Sequence, residues 1–323
     1  MSESLAQNFN HLKIHSQYSI CEGAVKIDDL QDFTKANKLK SLGLCDNSNL
    51  CGALEFAEKI SKVGTQPIIG TQINFKYGDC IGLLPLFALN EEGYKRIIKL
   101  SSISFLENDE VSDPHVDFKE LLEDNTGVAI FSGTIFGLFG ELFNKGKFSE
   151  LLDLYKKLKL NFGDRFYIEI QRHNDQNESG FEKFNLNKSL ELEIPIIATN
   201  EVFYLDKDMH EAHDAPICIG NKTYVNEKSR IKLSNEHYLK DNSEMTELFA
   251  DLPEALENNY NFPLRCNFRP LFSNPILPNI SSEKDGNADD KLKKDSLHGL
   301  RIKFDKVFGF KANDLENNKT YLD

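Results

Sequence analysis

The sequence predicts an α/β fold made of repeated strand and helix units. Short runs of β-branched and apolar residues alternate with stretches of helical period along most of the chain, which is the signature of βα repeats. The composition agrees: 323 residues, 40% of them hydrophobic and 11% aromatic, suffice for a sizeable core. Several polar residues also fall just past the ends of the predicted strands, the edge on which barrel enzymes assemble sites from separate strands.

In chain order, strands are expected at His11 to His15, Ser41 to Asp46, Pro67 to Phe75, Gly82 to Leu89, Gly127 to Ser132, Arg165 to Gln171 and Ile194 to Thr199. Helices are expected between them, at Ile27 to Lys38, Leu50 to Lys62, Glu91 to Phe105, Phe148 to Asn161 and Phe181 to Leu192. Asn49 is placed to cap the second helix, and Asn90, followed by Glu91 and Glu92, to cap the third. Seven or so such units fit a closed barrel or an open doubly wound sheet, and periodicity does not separate the two. The polar residues at strand ends are His15, Asp46, His173 and the pair Asn200 and Glu201. After Leu277 the apolar rhythm is lost in ISSEKDGNADDKLKKDS, so a boundary is expected there: 1–276 as the main domain, 277–323 as a linker and a new helix from Asp289 to Val307.

Charge and cysteine usage narrow the function. The formal net charge is −13, which opposes a general role in coating nucleic acid. The longest apolar stretch, Ile81 to Leu89, is too short to span a bilayer, and MSESLAQNFN lacks a secretory signal, so no membrane partner and a cytoplasmic location are expected. Six widely spaced cysteines with no Cys-x-x-Cys pair suggest neither a zinc knuckle nor a disulfide framework. Gly133, Gly137 and Gly140 match no phosphate-binding loop. His210 and His213 share a helix side and are read as packing or capping residues, and Lys156, Lys157 and Lys159 as a solvated face.

The phrases HLKIHSQYSICEGAVKI, LCDNSNLCGALEFAEK, QPIIGTQI and LNEEGYKRIIKLSS resemble the PHP domain at the front of bacterial replicative DNA polymerase III alpha subunits. The resemblance continues in order through FSGTIFGLFG, FYIEIQRH, IPIIATNEVFYLDKDMHEAHDAPICI and EHYLKDNSEMTELFADLPEALENNYNFPLRC to NPILP. It implies a distorted (β/α)7 PHP barrel followed, at KLKKDSLHGLRIKF, by the first helix of a polymerase palm region. It also implies that the chain ends before the palm carboxylates and the DNA-binding parts, so that Mg2+ and primer-template DNA belong to portions outside it. The implied partners are the proofreading exonuclease (epsilon) subunit at the PHP domain and the rest of the polymerase III holoenzyme.

PHP domains that bind metal place His, Asp and Glu side chains at the barrel mouth, where divalent ions activate water and clamp a phosphate. By this resemblance the candidate metal residues are His15, Asp46, Glu55, His173 and Glu201. Four positions depart from the family pattern: Lys13 stands for the first His of His-x-His, Asn47 for a His, Thr134 for a Cys, and Phe203 for the His of Asp-x-His. The expectation is a degenerate site in which Lys13 takes the metal's place and pairs with Asp46, Glu55 or Glu201. Three functions are weighed: a scaffold and exonuclease-docking module of the polymerase, a free-standing PHP metallophosphoesterase, and intrinsic proofreading.

Overall fold

The computed structural model describes residues 8–108, 113–227, 229–230, 232–275, 287–304 and 306. The chain divides into two compact units, Met1–Leu271 and Phe272–Asp323. The first holds nine strands: β1 (Lys13–Ile14), β2 (Ser41–Asn47), β3 (Gln66–Tyr77), β4 (Cys80–Ala88), β5 (Val116–Asp117), β6 (Val128–Phe131), β7 (Phe166–Ile170), β8 (Ile196–Ala198) and β9 (Glu201–Val202). Its helices are α1 (Ile27–Asn37), α2 (Ala53–Lys62), α3 (Glu91–Leu106), α4 (Phe118–Glu123), α5 (Leu138–Asn144), α6 (Phe148–Phe162), α7 (Glu178–Leu192), α8 (His210–Gly220), α9 (Asn242–Leu248) and α10 (Pro253–Asn261). In the second unit, α11 (Ala288–Lys303) starts on an Asn287 side-chain cap to Asp290 N at 2.8 Å and buries none of its described residues. The end of the predicted last helix at Val307 and the linker after Leu277 lie largely outside the described residues.

The main sheet runs β2-β3-β4-β6-β7-β8, with β5 beside β3. β8 and β9 are successive pieces of one stave: β7 pairs with the first and β1 with the second, where Lys13 lies opposite Glu201. The ring closes at β2, whose Gly43 N–H donates to the His11 carbonyl at 2.7 Å. Gly43 is required there, because a Cβ would stand 2.4 Å from the Leu12 carbonyl oxygen. The result is a distorted α/β barrel of seven staves. It is not built wholly of parallel βα repeats: β3 and β4 form a hairpin, and β4 is antiparallel to both β3 and β6. The reason is the turn at Gly78 and Asp79, where Gly78 has φ +63° and reverses the chain with no room for a helix.

Alternation along the staves sorts side chains into an inner and an outer set. Ile68, Phe87, Ala129, Phe131, Tyr167 and Ile197 point inward at the closed end and pack with Phe262 from a short 3-10 turn. Phe131 and Phe262 meet edge to face with centroids 5.1 Å apart, an arrangement that adds to the transfer free energy of two buried aromatics. Outward residues such as Leu42, Leu44 and Ile69 meet Ile27, Leu30, Phe56 and Ile60 of α1 and α2. The third helix starts as expected, with Asn90 Oδ1 accepting from Gly93 N at 2.9 Å. The second does not: its N-cap is Gly52, and Asn49 instead accepts from Cys51 N and donates to Tyr18 O and Asn47 O. Asn49 sits one short turn too early, so its side chain fixes the loop instead of the helix. All six cysteines are free.

Candidate functional site

Continuing each inner row toward the open end replaces apolar side chains with polar ones. Tyr167 is followed by Glu169 and Gln171, Ile197 by Thr199 and Glu201, and Ile68 by Gly70 and Gln72. Lys13 enters this layer from β1 and is completely buried. Its Nζ lies 3.1 Å from Glu201 Oε1 and 3.4 Å from Glu169 Oε1. Glu201 Oε1 also receives Gln72 Nε2 at 2.8 Å and lies 3.1 Å from His15 Nε2. Glu169 Oε1 is held by Gln171 Nε2 at 2.9 Å and by the Thr199 hydroxyl, while its Oε2 is buried without a hydrogen-bond partner.

The charges of this cluster follow from burial and neighbours. Burial would lower the Lys13 ammonium, but the Glu169 and Glu201 carboxylates raise it above its ordinary value. Burial would raise Glu201, yet Lys13 and His15 hold it well below the carboxylate range. Glu169 goes the other way, because burial outweighs Lys13 and pushes it up. The centre is therefore an ammonium between two carboxyl groups that burial and charge shift in opposite directions, Glu201 down and Glu169 up.

The sequence-predicted residues do not all converge. His15 and Glu201 share the centre, and Phe203 stacks on the His15 ring with centroids 4.5 Å apart. Asp46 is turned to the adjoining loop, where it accepts from Ser16 N at 2.6 Å, Ser16 Oγ at 2.9 Å and Ser19 Oγ at 2.8 Å; burial raises its carboxyl against those donors. Glu55 is on α2 and partly exposed, and binds the Tyr18 hydroxyl and Lys59, each at 2.7 Å. Lys13 thus pairs with Glu201 but not with Asp46 or Glu55, and its second partner, Glu169, was not foreseen. The chain geometry explains the exchange: Asp46 is out of step with the inward residues Gly43 and Cys45, whereas Asn47 is in step. Asn47 does line the mouth, accepting from Gln72 Nε2 at 3.1 Å. Sequence reasoning could have found Glu169 and Gln72 as polar residues at inward positions of otherwise apolar strands.

His173 follows β7, on a loop fixed by Arg172, which reaches Glu182 Oε1 and Asp251 Oδ1, each at 2.6 Å, and lies over the Phe249 ring. It does not touch Lys13 in the described contacts. It stacks on His237, and burial, reinforced by His237 and Lys240, holds it well below the ordinary imidazole value. Next to it, burial raises Glu178 to about 7. Thr134 and Phe203 line a cleft of about 200 Å³ at the mouth, with Gln72, Glu201, Leu83 and Ile217. His210 and His213 each spend Nε2 on a backbone carbonyl, Leu233 at 3.0 Å and Glu22 at 2.5 Å, as packing residues do. Gly140 allows close packing, since a Cβ would meet the Ile135 carbonyl oxygen at 2.0 Å.

A cluster of metal ligands needs acceptor atoms around the ion. At the centre of this mouth the position is filled by a buried ammonium, which has no lone pair to give while protonated. The central residues thus present a cation where a divalent ion would need donor atoms.

A seven-stave α/β barrel with a polar mouth is the architecture of PHP domains, and the family profile for the PHP domain matches residues 11–173. The chain belongs to the PHP domain family. Its curated relatives are DNA polymerase III alpha subunits. It is 34% identical over 318 residues to the one from Caulobacter vibrioides, covering 94% of this chain and 27% of that protein. With the one from Rickettsia conorii the identity is 36% over 315 residues, covering 96% and 26%. The chain thus spans about a quarter of the length of these relatives and corresponds to their PHP portion. Among solved structures, a two-domain protein from Bacteroides vulgatus containing a predicted PHP-like metal-dependent phosphoesterase aligns at a TM-score of 0.42 and 14% identity, over 74% of this chain and 62% of that one.

Proposed function

We propose that this chain is the PHP portion of the catalytic alpha subunit of a bacterial DNA polymerase III, whose whole length carries out DNA-templated DNA synthesis in the cytoplasm. Within it, the barrel serves as a folded scaffold and docking module for the proofreading exonuclease subunit, not as a hydrolase. The helix α11 is the start of the palm region, and the Mg2+ and primer-template sites belong to parts of the subunit that this chain does not span. The observation that carries the scaffold reading is the Lys13 ammonium, fully buried between Glu201 at 3.1 Å and Glu169 at 3.4 Å. A dication at that position would be repelled by several kcal/mol at contact distance, taking an effective dielectric of about 20.

The competing reading, a free-standing metallophosphoesterase, draws on His15, Asp46, Glu55 and His173. Two measurements separate them. The purified chain, supplied with Mn2+, Zn2+ or Mg2+, is expected to hydrolyse neither a phosphate monoester nor a DNA 3′ end above a Lys13→Ala control, and to co-elute with the exonuclease subunit in size-exclusion chromatography. Turnover that the control lacks, or separate elution, overturns the scaffold reading.

A further inference from the structure

Beside the Lys13 centre the mouth carries a second group of donors. His173, Asp175 and His237 each offer a ligand atom, and these atoms all lie within 4.8 Å of one another. The two imidazoles are stacked face to face, with centroids 4.1 Å apart and planes 5° from parallel. At one end both rings meet the chain at residues 200 and 201: His237 Nδ1 is 3.0 Å from the Glu201 carbonyl oxygen, and His173 Nε2 is 3.0 Å from Asn200 Oδ1 and 3.2 Å from Glu201 N. At the other end both rings meet carboxylates, His237 Nε2 lying 2.9 Å from Asp175 Oδ2 and His173 Nδ1 3.4 Å from Glu178 Oε1.

A ligating histidine is neutral, and donates its far N–H to an oxygen that fixes the ring. His237 meets this by donating from Nδ1 to the Glu201 carbonyl. His173 Nε2 accepts the Glu201 N–H at 3.2 Å, and meets it by giving up that bond and donating to Asn200 Oδ1 at 3.0 Å. The ligating nitrogens are then His237 Nε2 and His173 Nδ1, on the side where Asp175 and Glu178 stand, and the proton that holds the 2.9 Å contact between His237 and Asp175 is displaced on loading. Asp175 is itself positioned, since its Oδ1 accepts from Ser234 N at 3.1 Å and its Oδ2 remains for a ligand. Two imidazoles and a carboxylate form a donor set of the zinc class. Asp175 and Glu178 together balance a charge of +2, a requirement for any ion this deeply buried; the side chains of His173 and His237 are each 1% exposed and that of Asp175 3%.

We infer that His173, Asp175 and His237 form a structural site for one zinc-class dication, with Glu178 supplying balancing charge. The ion ties the loop after β7 to the segment before α9. It is separate from the central position that Lys13 fills. Imidazole lone pairs lie in the ring plane, so loading turns the rings out of their parallel stack. The hydrogen bond between His237 and Asp175 gives way, and the proton it holds is released.

The test uses the full 323-residue chain, stripped with a chelator and then titrated with Zn2+ and Co2+. Expected are one bound equivalent after desalting, the visible absorption bands of four-coordinate Co2+, and a higher melting temperature. His237→Gln and Asp175→Asn should each weaken binding by about tenfold or more, while Gln72→Leu, which alters only the central cluster, should leave it unchanged. Melting of each stripped variant shows which is folded, and either folded ligand variant decides the point. Failure of the wild-type chain to bind one equivalent overturns the inference. So does binding that survives both ligand variants but is lost in Gln72→Leu; that outcome would place the ion at the centre and count against the scaffold reading as well.

Discussion

At the centre of the barrel mouth, Lys13 brings a covalently attached cation to the Glu201 and Glu169 carboxyl groups. To one side, His173 and His237 bring two stacked rings to Asp175 and Glu178. Both regions are buried and both contain two carboxyl groups, but only the first sets a lysine ammonium between them. The contrast shows how the side chain at the middle of the mouth decides which carboxyl groups are committed to it and which stand apart at its edge. Asp46 belongs to neither region, because three donors from Ser16 and Ser19 hold it in the loop.

Removing the cation should break the contrast most severely. Lys13→Met leaves Glu201 buried with only Gln72 and His15 as partners, and is expected to cost about 3–5 kcal/mol in urea denaturation. Glu201→Gln should fall in the same range, since it removes the nearer partner of the ammonium, whereas Glu169→Gln should cost about 1 kcal/mol because Glu169 is the more distant partner and its Oε2 has no hydrogen bond to lose. Equal losses for the two glutamates would sink the charge assignment.

Acid and alkali should separate the regions further. Lys13 has a raised pKa, so its contribution is fully present below the ordinary lysine value of 10.5 and is lost as the pH climbs through the folded value. The buried rings act at the other end. Burial lowers His11 to about 4 from an ordinary 6.5, so the unfolded chain takes up a proton that the folded one refuses, and stability falls as the pH drops from 6.5 toward 4. His11→Gln should flatten that slope by about 3 kcal/mol over the interval, read from denaturation midpoints at several pH values. A slope unchanged by His11→Gln would show that this ring is not kept neutral.

Smaller effects sharpen the boundary. Phe203→His places an imidazole beside His15 but leaves Lys13 in position, so the central pocket should gain no metal affinity; the double variant Lys13→His with Phe203→His should gain it, as judged by competition with a metal-binding dye. Smallest of all, Asn90→Ala removes a helix cap remote from the mouth, and should cost about 1 kcal/mol without altering either pH limb.

Much of this was legible in the sequence. The short β-branched and apolar runs located every stave of the barrel, and the structure brings His15 and Glu201 together at the mouth with His173 beside them, while Asp46 turns to the adjoining loop. The β3 to β4 hairpin was not legible as a break in the βα order, because two strands with a short turn between them look like any two successive strands until their direction is known. Glu55 was drawn toward the site by its place in a family phrase, whereas its position on α2 aims it at Lys59 and Tyr18. Glu169 was overlooked because it lies within an apolar strand, yet a carboxyl group flanked by Ile168 and Ile170 needs a buried partner, and that requirement points to Lys13. His237 was invisible for a different reason: only the folded chain brings a residue from the far side of α8 against the ring of His173.

The stave that contains Lys13 also sets an order of events during synthesis. Asn10 is bonded to Asn259, 249 residues further along, and His11 to the carbonyl of Lys240, 229 residues away. This stave therefore finds its partners only after a long stretch of chain has followed it, and loop closure over such separations is slow. Until residues 201 and 202 have emerged to pair with β1, the Glu201 partner of Lys13 is absent and the ring stays open between β1 and β9, an unpaired edge that a chaperone or a neighbouring chain could occupy.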